Sequence, residues 1–193
     1  MLTATSTGRL AFTVDDLHKL YETGIIDDDI RVELLNGELY PMSPINYPHA
    51  HCVNVLTNFF TRNSSEDYWI VVQNPIYLNQ KSLPEPDVAI YLQKDIQNRD
   101  YHPTADIAQL VIEVADSTYK KDREKKLPLY AEGGVIEVWI VNLTERRVEV
   151  YTQPSDNQYT KSVIYDEDQT LPSSFDLPLE VKTLFLSEES LRM

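Results

Sequence analysis

One short stretch, QLVIEVAD at residues 109–116, limits what this chain can become. Leu110, Val111, Ile112 and Val114 leave it no polar side, so it reads as a strand covered on both faces. Glu113 nevertheless lies in the middle of it. An ionised carboxylate in such a strand is costly unless hydrogen bonds or a countercharge compensate it. A cation, a neighbouring base or a functional cleft would do so. If Glu113 instead sits at an open strand end, water solvates it and it carries no function.

The chain has 193 residues, enough for one domain with a sizeable core. No linker, repeat or low-complexity tract divides it, so a single domain over 1–193 is expected, with residues 1–11 as a loose N-terminal arm. Cys52 is the only cysteine, which excludes an intrachain disulfide and a thiolate metal cluster. The N-terminus lacks the basic start and apolar run of a signal peptide, and no segment is apolar enough to span a bilayer. The expected location is the cytoplasm, with no membrane partner. The net charge of −14 argues against a broad nucleic-acid-binding surface, so contact with DNA would need a local basic patch.

Before the central strand, Thr13 is placed to cap a short helix with Asp15 and Asp16 in its first turn and Gly24 beyond its end. RVELLNGELYPM reads as a hairpin across Asn36-Gly37, a dipeptide suited to a type I′ turn. Glu33 and Glu38 lie on its arms, with Glu33 facing away from Val32 and Leu34. Val53, Leu56, Phe59 and Phe60 recur at helical spacing. His49 stands at the start of that helix and points toward whatever lies beyond its end. His49 and His51 are two apart and do not share a helix face, so they are no ready metal pair. YWIVVQNPIYL is strand-like, with Pro75 limiting it to an edge, bulge or break. Pro84 and Pro86 hold the next approach extended, and Asp87 stands at the mouth of a strand over residues 88–91. Residues 92–108 read as a polar connection.

After the central strand, Ser117 or Thr118 begins a helix that runs to about Glu132 and stops at Gly133-Gly134. Pro128 lies inside it and is expected to kink it. Tyr119, Asp122, Lys126 and Tyr130 fall on one face. Residues 120–126 hold five basic residues and two acids, the densest positive cluster in the chain. On composition alone, a solvated face with i,i+4 pairs is the simpler reading of it. IEVWIVNL and RRVEVYTQ form a second hairpin, residues 158–165 add a strand, and the apolar stretch 177–186 docks on the core. The order of elements predicts a mixed sheet with helices packed on it, in the α/β (α+β) class.

Asp87 and Glu113 both sit where a short apolar strand meets a polar segment. Two carboxylates on neighbouring strands make a hard, oxygen-rich site of the kind that suits magnesium. A basic helix follows at once, able to receive phosphate oxygens or help a water attack. The series RVELLNGELYPMSP, the His49 helix, PEPDVAIY, QLVIEVADST, DREKKLPLY and GGVIEVWIVN resembles the PD-(D/E)XK nuclease superfamily, and more closely its Uma-type endonuclease family. The resemblance spans about residues 12–186.

That resemblance implies a restriction-endonuclease-like fold and magnesium-dependent cleavage of DNA, with manganese as the alternative ion. Asp87 would be the motif aspartate and Glu113 the second acid, both holding the metal, with the backbone carbonyl of Val114 as a third donor. The superfamily lysine is expected two residues after Glu113, where Ala115 stands. Lys126, in D-x-x-x-K-x-x-x-Y, matches the lysine of the Uma-type pattern and would orient or activate the water. Glu33 and His49 match supporting site residues, and Tyr130 orients Lys126 or packs. Nucleases of this size often act as homodimers, though no segment marks an interface.

Two other functions fit the same residues. A catalytically silent member would keep the fold and act as a binding or assembly module, a reading the acidic charge favours. A carboxylate-pair hydrolase would act on a neutral substrate such as a glycan, and indifference to chelators would distinguish it. If DNA binds through residues 120–126, replacing Lys120, Lys121 and Arg123 with Gln should weaken binding. It should also flatten the plot of log affinity against log salt, measured by fluorescence anisotropy. An unchanged slope would place any DNA elsewhere on the protein.

Overall fold

The structure, a computed structural model, describes residues 3–4, 10–96, 101–172 and 177–187. The chain begins with a two-residue pairing of β1 (Thr3–Ala4) with β2 (Leu10–Ala11). Part of the segment expected to be a loose arm is therefore paired. Residues 1–2 and 5–9 of that arm lie outside the described residues. Helix α1 (Val14–Glu22) starts with a full capping box. The Thr13 hydroxyl accepts from the Asp16 N–H, and the Asp16 carboxylate accepts from the Thr13 N–H. The hairpin β3 (Val32–Leu35) and β4 (Glu38–Pro41) turns at Asn36 and Gly37, with φ of +55° and +81°, the left-handed pair that a type I′ turn requires.

Helix α2 (Tyr47–Asn63) leads to β5 (Tyr68–Val72). That strand ends where Gln73 adopts φ +50°, two residues before Pro75. Then follow β6 (Val88–Leu92), α3 (Gln93–Ile96), a 3₁₀ turn at Ala105–Ile107 and β7 (Ala108–Ala115). The helical crossover comprises α4 (Tyr119–Lys121), a π-helical turn at Asp122–Lys126 and α5 (Leu127–Glu132). Three strands follow, β8 (Glu137–Asn142), β9 (Arg147–Ser155) and β10 (Gln158–Asp166). The small pair β11 (Thr170–Pro172) and β12 (Pro178–Glu180) and a 3₁₀ turn at Val181–Leu184 complete the described chain.

Six strands form one mixed sheet in the order β10-β9-β8-β7-β6-β5. Within this sheet, among the described residues, only β7 and β8 run parallel, and a parallel neighbour needs a crossover long enough to return the chain. Residues 119–132 supply it. Alternation along β7 divides the core in two. Leu110, Ile112 and Val114 face α2, packing with Leu56, Phe60 and Trp139. Val111 and Ala115 face the crossover, packing with Tyr130, Val138 and Ile140. Glu113 falls on this second face, under the crossover helix. Val181 and Leu184 dock on the α2 side, as the apolar C-terminal stretch predicts. Among the described residues no helix is long and apolar enough to cross a membrane.

Where the sequence predicts a kink at Pro128, the helix opens into a π turn just ahead of the proline. The Leu127 N–H donates to the Asp122 carbonyl, five residues back, so the helix widens by one residue just before the proline. The wider turn brings Asp122 and Lys126 close to one line on the inward side. Gly134, at φ +82°, ends the segment as the Gly-Gly pair predicts.

The hairpin turn is tied to the rest by close approach. A Cβ on Gly37 would lie 2.6 Å from Ala11 Cβ and 3.3 Å from the Phe12 carbonyl oxygen, at a positive φ. Gly37→Ala should therefore cost about 1–3 kcal/mol in urea unfolding. A variant with the wild-type midpoint would show that the β3–β4 turn moves freely.

Candidate active site

Two strand ends and two helices meet at one cleft, lined among others by Glu33, His49, Asp87, Glu113, Asp122 and Lys126. The strand register explains the acids. Val88 pairs with Ile112 in the antiparallel ladder, so Asp87, one residue before β6, comes level with Glu113. One Asp87 oxygen accepts the Val114 N–H at 2.8 Å. The other accepts from Gln73 Nε2 at 3.2 Å and faces His49 Nε2 at 3.1 Å. Burial pushes the Asp87 carboxyl up, but the His49 hydrogen bond and charge, the Val114 N–H and Lys126 outweigh it and hold it below its ordinary value.

His49 reaches this point because Asn46 starts α2. The Asn46 side-chain Oδ1 accepts the His49 N–H at 3.0 Å, while its Nδ2 donates to Asp116 at 2.8 Å. Burial lowers the His49 pKa, but Asp87, Asp122 and Asp116 together raise it above the usual value. Among the described residues its buried Nδ1 has no hydrogen-bond partner. The helix-start histidine therefore meets the motif aspartate, as its position in the sequence suggests. His51 lies instead along the outer face of α2 beside Tyr47.

Glu113 is 3% exposed, so it is not the solvated end of a strand. The Tyr130 hydroxyl donates to it at 2.5 Å, and Lys126 Nζ lies 3.1 Å from both of its oxygens. Lys126 also meets Glu33 Oε1 at 2.5 Å and Asp122 Oδ1 at 3.7 Å. Glu33 is fully buried, takes Lys121 on its second oxygen at 3.0 Å and accepts the Glu85 N–H at 3.4 Å. Glu85 in turn pairs with Arg31 at the mouth of the cleft. Three carboxylates against two ammonium groups leave this buried cluster at a formal charge of −1.

Burial lifts the Glu113 carboxyl well above its ordinary value; Lys126 opposes this, while Asp122, Asp87 and Glu33 add to it. Burial lowers Lys126, but Glu113, Glu33 and Asp122 more than reverse that and keep it charged. Burial also raises Glu33, and Lys126 with Lys121 brings it below the usual range.

The basic segment divides between two environments. Lys126 and Asp122 are buried, whereas Lys120, Arg123, Glu124 and Lys125 are exposed. The simple solvated face therefore holds only for the outer residues. Glu38, by contrast, stays on the outer arm of its hairpin, half-buried.

No sequence signal marks Gln73, whose left-handed backbone just after β5 aims it at Asp87. Asp122 could have been found from its i,i+4 spacing to Lys126, and Lys121 only from the fold. Val114 meets Asp87 through its N–H.

A six-stranded mixed sheet with helices packed on it is the framework of restriction-endonuclease-like proteins. The chain belongs to the Uma2 family, described as "Putative restriction endonuclease", whose model matches residues 14–186. No curated protein matches it. Among solved structures it is similar to a "putative nuclease belonging to DUF820" from Anabaena variabilis. The TM-score is 0.71 and the identity 18%, over 90% of this chain and 97% of that one. At that identity the likeness concerns the fold.

The raised pKa of Glu113 has a consequence for stability. Its charged form works against folding as pH rises through the ordinary carboxylate value and on past the folded one. Glu113→Gln removes that penalty, keeps an acceptor for Tyr130, and leaves Lys126 with Glu33 and Asp122. By calorimetry at neutral pH in chelator, the variant should melt at or above the wild-type temperature. A melting point well below it would make the Glu113 carboxylate a structural acceptor rather than a strained one.

Proposed function

We propose that the protein is a magnesium-dependent endonuclease that hydrolyses phosphodiester bonds in DNA. The observation that carries this reading is the convergence of Asp87, Glu113 and Lys126, from three separate segments, on one cleft. Among the described residues no group of three or more His, Cys, Asp or Glu side chains is arranged to hold a metal ion. Magnesium does not need one. It takes one or two carboxylates and keeps water on its other positions. Asp87 and Glu113, with the Val114 backbone carbonyl, would hold it, and manganese would fit the same oxygen donors. The ion would supply charge neutralisation at the scissile phosphate and a more acidic water.

The rest of the chemistry belongs to the chain. Lys126 would position the attacking water beside the phosphate. Tyr130 and Lys126 fix the orientation of Glu113, and His49 with Gln73 and the Val114 N–H fixes Asp87. Exposed Lys120 and Lys125, on the outer side of the crossover, offer phosphate contacts on an otherwise acidic protein.

A catalytically silent binding or assembly module is the second reading. It is favoured by the same ion pairs, because Lys126 and Tyr130 already satisfy both oxygens of Glu113. Magnesium titration by calorimetry, followed by incubation with supercoiled and single-stranded DNA, separates the two. Loss of a support group around a metal ligand costs roughly 10–100-fold, so loss of the ligand itself should cost at least that. Asp87→Asn should accordingly lower cleavage by about 100-fold or more, and chelator should abolish it in the wild type. Magnesium binding without cleavage of any DNA would favour the silent module.

A further inference from the structure

An ammonium group has three N–H donors, and Lys126 has three carboxylates around it. Glu33, at 2.5 Å, takes one donor and the two oxygens of Glu113, each at 3.1 Å, take the other two, while Asp122, at 3.7 Å, lies beyond hydrogen-bond reach and adds only its charge. All four side chains are buried. In this arrangement Lys126 has no donor left for a water or a phosphate oxygen. It could not position a nucleophile without giving up a partner.

The three partners are not equally free to leave. Glu33 is held from its other side by Lys121 at 3.0 Å and by the Glu85 N–H at 3.4 Å. Asp122 sits on the same π-helical turn as Lys126, four residues away, and moves with it. Glu113 alone of the three also belongs to the proposed metal site.

Resting on the nuclease reading above, we infer that Lys126 and the divalent cation compete for Glu113. Glu33 and Asp122 are then positioning residues that keep the ammonium in place when Glu113 turns to the cation. Loading the cation releases the donors that pointed at Glu113, and only then does Lys126 hold a water. The lysine is thus silent in the metal-free protein, and metal loading and nucleophile positioning become one event. Glu33 explains why the ammonium stays: without it, Lys126 would have Glu113 as its only close partner.

Magnesium calorimetry on the full chain tests this through binding rather than activity. Lys126→Met removes the competitor and should tighten magnesium binding by about tenfold or more, or roughly 1.4 kcal/mol. Lys121→Met removes an equal charge from the same cleft, but one that touches Glu33 and not Glu113. It should change the constant by less than about threefold. Equal effects of the two variants would mean general electrostatics and would overturn the competition.

Should Lys126→Met fail to fold, the wild type still decides. The ¹⁵N ammonium resonance of Lys126 should shift, and its exchange with water should quicken, as magnesium is added. A resonance unmoved at saturating magnesium overturns the inference while leaving the nuclease reading intact. If the wild type and Lys126→Met both bind no magnesium, the two fall together.

Discussion

The buried charge cluster around Lys126 is the interaction on which the rest depends. Removing the shared ammonium would leave its carboxylates without compensation, a loss that costs about 3–5 kcal/mol for a buried ion pair. Here one ammonium is shared by carboxylates from β3, β7 and the π-helical turn. The cluster therefore joins the first hairpin, the central strand and the crossover helix. Such a group is not the cheapest way to hold a fold together, since apolar side chains of similar volume would often do as well. Its place on the sheet face that Val111, Ala115, Val138 and Ile140 otherwise fill around it, at the floor of a cleft, is what points to chemistry.

The sheet makes the cluster possible. Parallel pairing of β7 with β8 forces a helical return over one face, and that helix lands on the face Glu113 occupies. The π turn before Pro128 then sets the phase. A helix lacking the proline N–H has to rearrange its ladder, and the i→i+5 bond from Leu127 to Asp122 does so without breaking the helix. Asp122, Lys126 and Tyr130 consequently all point inward, while Lys120 and Lys125 stay in water. Asp87 is placed independently, by the β6–β7 register and the Val114 N–H.

The two acids of the site live in different electrostatic surroundings. Asp87 is stabilised as a carboxylate by donors that touch it from three directions. Glu113 has stronger partners but also three acidic neighbours, and it remains the strained one. Pairs of carboxylates whose environments push them apart mark places where protons or cations are handled. Here the two acids also line one cleft.

Much was legible in the chain itself, for local reasons. The Thr13 cap, the Asn36-Gly37 turn and the Gly133-Gly134 stop depend on residues next to one another, and each appears where the sequence predicts. Asp87, Glu113 and Lys126 could be named because motif spacing and resemblance to a family mark them, and His49 because a helix start has a direction. What residues 109–116 could not say is whether Glu113 meets water or a countercharge. That depended on a crossover helix, a strand register and a hairpin 80 residues upstream in sequence. Gln73, Lys121 and the acceptor role of Glu33 were decided in the same way. Sequence periodicity sets which face a side chain takes, but only tertiary packing decides what stands opposite that face, and for a buried charge the opposite group is what determines its energy.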